Sequence, residues 1–310
     1  MKKLALTMML SAVLTSSAFA ADPMKIGVSM AIFDDNFLTT LRNSIEASAK
    51  EQGVEVQIED AKNEVGTQLN QIQNFVASGV KAIIVNPVDT DATVAMSEAA
   101  EKAKIPLIYV NRQPVNVDKL PDNQAFVASD EVVSGTLQMT EVCKMMGGKG
   151  KIVVMMGELS NQAAVQRTKD IEDVIAKDGC KDIKIVEKQT AEWSRTKGND
   201  LMTNWLSAGT EFDAVVSNND EMALGAIQAL KAAGRPMDKV IVAGIDATAD
   251  ALSAMKAGDL DVSVFQSAAG QGKGALDAAV KLAKGEAVEQ KVWIPFELVT
   301  PANLDNYMKK

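Results

Sequence analysis

Two similar series of alternating strand and helix patterns restrict the fold of this chain more than any other feature. Short apolar runs such as residues 83–86 and 214–217 have the length and β-branched content of buried strands, and an Ala-rich amphipathic segment follows each of them. Strands joined by helices form parallel sheets with helices on both faces. The strands are too many for one open sheet, and a break near residue 129 divides the series in two. The sequence therefore predicts an α/β fold with two doubly wound parallel sheets.

The first twenty residues have the composition of an export signal. A basic start precedes an apolar run at residues 4–14, which is too short to cross a bilayer, and Ala18 and Ala20 are small residues suited to a cleavage site. No cysteine follows the run for lipidation, which argues against a membrane anchor. We therefore expect a signal peptide at residues 1–20 and a mature chain in the periplasm.

The charge balance and the lack of histidine exclude several classes of function. The 310-residue chain has a net charge of −9, and we find no basic patch that would bind nucleic acid or an anionic membrane. Without histidine, the chain can form neither Ser-His-Asp or Cys-His sites nor the usual imidazole zinc sites, which leaves an enzyme only carboxylate, lysine or tyrosine chemistry. We expect that the chain is not an enzyme. Cys143 and Cys180 lack the C-x-x-C redox spacing, and in an exported chain we expect them to form a structural disulfide.

The segment after the first predicted strand indicates a ligand site. The apolar run at residues 26–30 leads into two acids, an amide and two aromatic residues, and then into an amphipathic helix. Such a connection places side chains at the carboxyl edge of a parallel sheet. Aromatic faces beside carboxylates and amides suit sugars and cyclic polyols, whose C–H faces stack while their hydroxyls need fixed partners. The alternative is an ordinary acidic loop in which Phe33 and Phe37 belong to the core.

Four short motifs follow one another along the chain. They are FDDNF at residues 33–37, VNR at 110–112, SNNDEMALGA at 217–226 and AGID at 243–246. With them the chain resembles the type I periplasmic sugar-binding proteins of ABC importers, which include the ribose- and glucose/galactose-binding proteins. The resemblance runs from about Lys25 to the C-terminus. It implies a monomer that delivers its ligand to an ABC permease in the inner membrane and could also address a chemoreceptor.

The resemblance also implies two lobes that close over the ligand about a hinge. It assigns residues 21–129 plus 267–294 to the N-terminal lobe and 130–266 plus 295–310 to the C-terminal lobe, so the chain would cross between them three times, near residues 129, 266 and 295.

The ligand-binding residues implied by the resemblance are those whose motifs match. Phe37 and Trp193 correspond to the aromatic residues that stack on the two faces of the sugar. Polar contacts are expected from Asp35, Asn36, Asn111, Arg112, Arg167, Asn219, Asp246 and Gln266, and Phe33 is a further aromatic candidate. Arginine offers a fork of donors and aspartate offers acceptors only, which suits hydroxyl groups. The alternatives are that Trp193 is a surface anchor and that Arg167 is an ion-pair partner on a helix surface.

Three departures from the family pattern bear on the identity of the ligand. Arg112 replaces a lysine of the glucose/galactose-binding proteins, Ala163 replaces their aspartate, and Asn111 replaces an aspartate of the ribose-binding proteins. We expect a neutral six-membered ring with several hydroxyls, either an inositol or a hexopyranose, ahead of ribose or another pentose. A periplasmic sugar-processing enzyme built on paired carboxylates is the other alternative. No D-x-N-x-D-G calcium loop is found, so neither a metal nor a cofactor is expected.

Overall fold

The computed structural model describes residues 23–309, so the export signal predicted at residues 1–20 lies outside the described part. The strands are β1 (Lys25–Met30), β2 (Glu55–Asp60), β3 (Ala82–Val85), β4 (Leu107–Val110), β5 (Gln124–Ala128), β6 (Lys149–Met156), β7 (Asp182–Thr190), β8 (Ala214–Ser217), β9 (Ile241–Ala243), β10 (Ser263–Gln266), β11 (Lys291–Trp293) and β12 (Phe296–Val299). The helices are α1 (Asn36–Gln52), α2 (Val65–Ser78), α3 (Thr93–Ala103), α4 (Glu131–Met145), α5 (Gln162–Ile175), α6 (Arg195–Ser207), α7 (Asp220–Ala232), α8 (Ala249–Ala257) and α9 (Ala268–Ala283).

The first sheet has the strand order β11-β5-β4-β3-β1-β2, and every pair in it is parallel. Helices α1 and α9 pack on one face, where Leu41 and Leu276 belong to the same core cluster. Helices α2 and α3 cover the other face with Phe75 and Met96. Gly27 permits the close approach of α2, because a Cβ there would lie 2.5 Å from the Phe75 ring. Both faces are covered by helices, as the alternation of patterns predicts.

The second sheet has the order β7-β6-β8-β9 and is also parallel. Helices α4 and α5 pack on one face, and α6, α7 and α8 pack on the other. Strand β10 continues this sheet through the isolated parallel bridges Ala243↔Val262 and Asp246↔Phe265. It pairs in the antiparallel direction with β12, which the prediction of purely parallel sheets did not include.

The chain passes between the two sheets three times. It leaves the first sheet after β5, returns to it after β10 through α9, and leaves it again between β11 and β12. Strands β11 and β12 are separated by only two residues, yet they pair in different sheets. The predicted fold class of two lobes with parallel sheets is confirmed.

The predicted disulfide is present between Cys143 and Cys180. Their Cα atoms are 5.8 Å apart, and the bond ties α4 to the segment that leads into β7. Among residues 23–309, no helix has both the length and the apolar character needed to cross a bilayer.

Local interactions set the start of α9 and of β6. Helix α9 begins at Ala268, because Ser267 caps it by accepting a hydrogen bond from the Gly270 N–H. Strand β6 begins at Lys149, which pairs with Asp182. Glycine at positive φ shapes the turn just before it, at Gly147 and Gly148.

Candidate functional site

A cavity of about 420 Å³, counting the part open to solvent, lies where the carboxyl ends of strands from both sheets meet. It is lined by Asp35, Phe37, Leu38, Asn111, Arg112, Glu131, Asn161, Ala163, Arg167, Trp193, Asn219, Asp246 and Gln266. All the sequence-predicted ligand residues except Phe33 and Asn36 are in this set. The set also includes Leu38, Glu131 and Asn161, which the sequence analysis did not single out, and Ala163, which it noted only as a departure. That the sequence-predicted residues contact a ligand stays a prediction.

Asp35 and Phe37 enter the cavity from the start of α1. Asp35 is the N-cap of this helix, and its Oδ1 accepts a hydrogen bond of 2.7 Å from the Leu38 N–H. Burial raises the pKa of the Asp35 carboxyl, although this hydrogen bond and the nearby Arg112 oppose the shift. The cap therefore fixes a carboxylate and an aromatic ring side by side.

Phe33 and Asn36 lie outside the cavity lining. The Arg42 guanidinium lies 4.2 Å from the centre of the Phe33 ring, and this ring packs against the core between the first sheet and α1. Asn36 instead donates a hydrogen bond of 2.8 Å to Glu221, a residue of α7 in the other lobe. Phe33 thus follows the core alternative stated for it, and Asn36 joins the two lobes.

Amide side chains connect the two lobes at the base of the cavity. Asn111, which follows β4 with a φ of 66°, donates from Nδ2 to Gln266 Oε1 at 3.4 Å and to Gln271 Oε1 at 3.2 Å. Gln266 in turn donates to Asp246 Oδ1. Since Asn111 follows a strand of the first sheet and Asp246 one of the second, a ligand between them would be bound from both sides.

Arg167 is buried and held by Glu131. Its Nε and Nη2 donate to the two carboxylate oxygens of Glu131 at 2.7 and 2.9 Å, and its Nη1 donates to the Asn218 carbonyl at 2.8 Å. Burial alone would lower the pKa of Arg167, but the Glu131 carboxylate, together with Asp246 and Asp220, outweighs it and the pKa is raised. Three of the five N–H donors of the guanidinium are thereby used, which leaves two for a ligand.

This arrangement decides between the two interpretations of Arg167. Its side chain is 4% exposed, so it is not a partner on a helix surface, although it does form an ion pair. Glu131 was not predicted as a site residue, because the presence of an acidic residue at the start of a helix is usually explained by its interaction with the helix dipole. No motif in the sequence points to it.

Asp246 follows β9 in a conformation that is rare for a residue with a side chain. Its φ is 127°, and its carboxyl lies 4.0 Å from Arg167 Nη1. Burial raises its pKa well above the ordinary value, against the opposing effect of the Arg167 charge. The carboxylate therefore needs further hydrogen-bond donors, which ligand hydroxyls would supply.

Trp193 forms part of the cavity wall rather than a surface anchor. Its Nε1 donates to Asn161 Oδ1 at 3.0 Å, and its ring lies over Gly157, where a Cβ would be 2.1 Å from Cζ2. Asn161 also donates from Nδ2 to the Val88 carbonyl of the first lobe at 3.1 Å. The orientation of the indole is thus fixed by the hydrogen bond to Asn161 and by the packing over Gly157.

Arg112 supplies the second positive charge of the cavity. Its Nη1 donates to the carbonyls of Pro87 at 2.9 Å and Val88 at 3.3 Å. Burial lowers its pKa, while Glu158 and Asp35 oppose the shift. These backbone carbonyls hold the guanidinium toward the cavity.

A second cavity lies beside the first and shares Asp35, Arg112 and Trp193 with it. Hydrogen bonds between the lobes cross near it, including one of 3.0 Å from Asn63 to Glu158. Residues 23–309 contain no cluster of three or more acidic, cysteine or histidine side chains suited to a metal ion.

The cavity combines aromatic surfaces with hydrogen-bond acceptors and donors. Phe37 and Trp193 offer faces for C–H groups, the carboxylates of Asp35 and Asp246 accept hydrogen bonds, and the guanidinium groups donate them. Such a set suits a compact ring with hydroxyls around its edge.

Comparison with known proteins gives matches over almost the whole chain. A family model described as a periplasmic binding protein domain matches residues 26–287. A Rhizobium meliloti protein that bears the provisional name rhizopine-binding protein is 67% identical over 301 residues, which is 97% of each chain. A xylitol-binding protein of Mycolicibacterium smegmatis is 35% identical, over 93% of this chain and 80% of its own.

Solved structures of similar fold include two with bound myo-inositol. An ABC transporter solute binding protein from Bacillus halodurans C-125 superposes with a TM-score of 0.87 at 45% identity, over 94% of this chain and 99% of its own. A myo-inositol binding protein of Caulobacter superposes with a TM-score of 0.85 at 30% identity, over 91% of this chain and 95% of its own.

Proposed function

The chain belongs to the periplasmic binding protein family, and from that premise we propose that it is the solute-binding component of an ABC importer whose ligand is a neutral cyclic polyol. The observation that carries the proposal is the cavity between the lobes, in which two aromatic residues accompany carboxylates and guanidinium groups. Two similar proteins hold myo-inositol, which favours an inositol over a hexopyranose. Relatives of this chain are binding proteins of transport systems, and we propose that it too carries out no chemical step.

The charges of the cavity support a neutral ligand. Glu131 neutralises Arg167 through a bidentate ion pair. The remaining charged groups are Asp35, Asp246 and Arg112, so two carboxylates face one guanidinium. An acidic sugar would meet this excess of negative charge, and the positive charge of Arg167 is already balanced by Glu131.

Calorimetric titration of the purified protein with myo-inositol, D-glucose, D-galactose, D-ribose and D-glucuronate tests the proposal. We expect binding of myo-inositol, weaker or comparable binding of the hexoses, and none of the acid. A matching thermal-shift measurement should show stabilisation, since a ligand at about 100 times its Kd adds about 2.7 kcal/mol to the folded state. Tight binding of ribose without any binding of inositol or hexoses would contradict the proposal.

We further propose that the lobes comprise residues 21–129 plus 267–294 and residues 130–266 plus 295–310, and that they close on the ligand as rigid bodies. Three chain crossings between the sheets support a hinge at these points. We expect the radius of gyration from small-angle X-ray scattering to fall on saturation with a ligand confirmed by calorimetry. An unchanged scattering profile would argue against closure.

Membership of the family implies a periplasmic location, and we propose that a signal peptide at residues 1–20 directs the chain there. The mature protein should then begin at Ala21, act as a monomer and deliver its ligand to a permease in the inner membrane. Intact mass spectrometry of secreted protein is expected to give the mass of residues 21–310. A mass that includes the first twenty residues would refute the cleavage site.

A further inference from the structure

Asp220 is a fully buried carboxylate that does not line the cavity. It is the first residue of α7, and its Oδ1 accepts a hydrogen bond of 2.8 Å from the Ser263 hydroxyl. Its Oδ2 accepts one of 2.9 Å from the Thr248 N–H, and its own N–H donates to the Ile245 carbonyl at 2.8 Å. One side chain thus joins three elements of the second lobe.

Each of these elements carries a predicted ligand residue. Asn219 is the N-cap of α7 and directly precedes Asp220. Asp246 lies in the loop after β9, between the two residues of that loop that bond to Asp220. Gln266 ends β10, the strand that begins with Ser263. The relative placement of Asn219, Asp246 and Gln266 therefore depends on bonds that meet at one carboxylate.

The loop that carries Asp246 needs such support because its backbone is strained. Asp246 has a φ of 127° and Ala247 one of 50°, values that residues with side chains rarely adopt. The two N–H groups that follow Asp246 are both held: Ala247 donates to the Ser263 Oγ at 3.0 Å and Thr248 to Asp220. A strained loop persists only where its surroundings fix it, and here the fixing groups are a carboxylate and a hydroxyl that bond to each other.

We propose that Asp220, together with Ser263, is a positioning residue for ligand binding, which orients the Asp246 carboxylate and aligns it with Asn219 and Gln266. This inference rests on the proposed function, since it concerns the same cavity.

Electrostatics and positioning predict opposite effects of removing the Asp220 charge. The Asp220 carboxylate helps to raise the pKa of Asp246, after burial and against the Arg167 charge. A neutral residue at position 220 would therefore favour the ionised form of Asp246, the form that accepts hydrogen bonds from hydroxyls, and would leave binding equal or tighter. Loss of positioning would weaken binding instead.

The test is a double-mutant cycle on the full mature chain with myo-inositol as the probe. We expect Asp220→Asn to weaken binding by about tenfold or more in calorimetry, and by less than about threefold in the Asp246→Asn background. Such non-additivity shows that Asp220 acts through Asp246, whereas a general loss of stability would act equally in both backgrounds. Asp213→Asn is the matched control, because Asp213 accepts the Lys151 N–H at 2.8 Å at the opposite edge of the same sheet, and it should bind as the parent does.

Ser263→Ala provides a second variant that keeps the carboxylate and removes only the hydroxyl, so the test does not depend on the folding of Asp220→Asn. It should weaken myo-inositol binding in the same direction. Amide hydrogen exchange without ligand is the companion measurement, and we expect faster exchange at residues 247–248 in both variants but not in Asp213→Asn. If the parent binds no polyol, the proposed function fails while the exchange data still test the positioning. Parent-like affinity and exchange in both variants, or additive effects in the cycle, would overturn the inference.

Discussion

Replacement of Glu131 by alanine is expected to lower the free energy of unfolding by about 3–5 kcal/mol, because it leaves the buried Arg167 guanidinium without its counter-charge. The two side chains are only 4% and 5% exposed, so water does not replace the lost carboxylate. Two of the N–H donors of Arg167 would also lose their acceptor. Equilibrium unfolding in urea, followed by circular dichroism, measures the difference.

Two further variants separate this effect from the loss of any acidic residue. Asp173→Ala removes the partner of Lys169 on the same helix as Arg167, but that pair is more than half exposed, so the change should stay within about 0.5 kcal/mol. Glu131→Leu combined with Arg167→Met removes both charges and should recover most of the stability while it abolishes ligand binding. A Glu131→Ala protein as stable as the parent would show that the ion pair is not needed in the folded protein.

The second large effect concerns binding. We expect Trp193→Ala and Asp246→Ala each to weaken binding of the confirmed ligand by about 2 kcal/mol or more, which is about thirtyfold in Kd. The tryptophan change removes a ring that is held in place by Asn161 and Gly157, and with it a stacking surface. The aspartate change leaves ligand hydroxyls without an acceptor in a site from which water is excluded.

Trp293→Ala is the control for the tryptophan variant. Trp293 is 45% exposed, packs edge-on against Phe126 and does not line the cavity, so its removal should leave the Kd unchanged. Trp193→Phe keeps an aromatic face and should bind with intermediate affinity. The measurement is calorimetry of these four variants beside the parent protein. If Trp193→Ala and Asp246→Ala bind as the parent does, the cavity is not the ligand site.

The elements that could be predicted from the sequence are those with strong local signals. Strand β8 was predicted with its observed ends, because a four-residue apolar run leads directly into a helix with a capping asparagine. The antiparallel pairing of β12 with β10 could not be predicted, because it joins segments from two crossings of the chain. No local pattern distinguishes a strand that changes sheet from one that continues.

The residues of the site also fall into those that local sequence signals predict and those that depend on tertiary contacts. Asp35, Phe37, Asn111 and Asp246 follow strands at the sheet edge, so their convergence in one cavity follows from the topology. Glu131 and Asn161 are placed by contacts between distant parts of the chain, with Arg167 and with the Val88 carbonyl respectively. Their importance lies in tertiary partners that a single sequence does not reveal.

The position of α9 in the chain has a consequence for the way this protein must fold. Helix α9 covers one face of the first sheet together with α1, yet its residues come after the strands of the second sheet in the chain. A chain that is exported from its N-terminus therefore delivers β1 to β5 long before the helix that seals their core. The four strands β6 to β9 of the second sheet are encoded without interruption and all precede α9 in the chain. Until α9 is delivered, the face of the first sheet that it covers stays exposed, and exposed apolar surface of this kind makes a partly folded chain prone to aggregation.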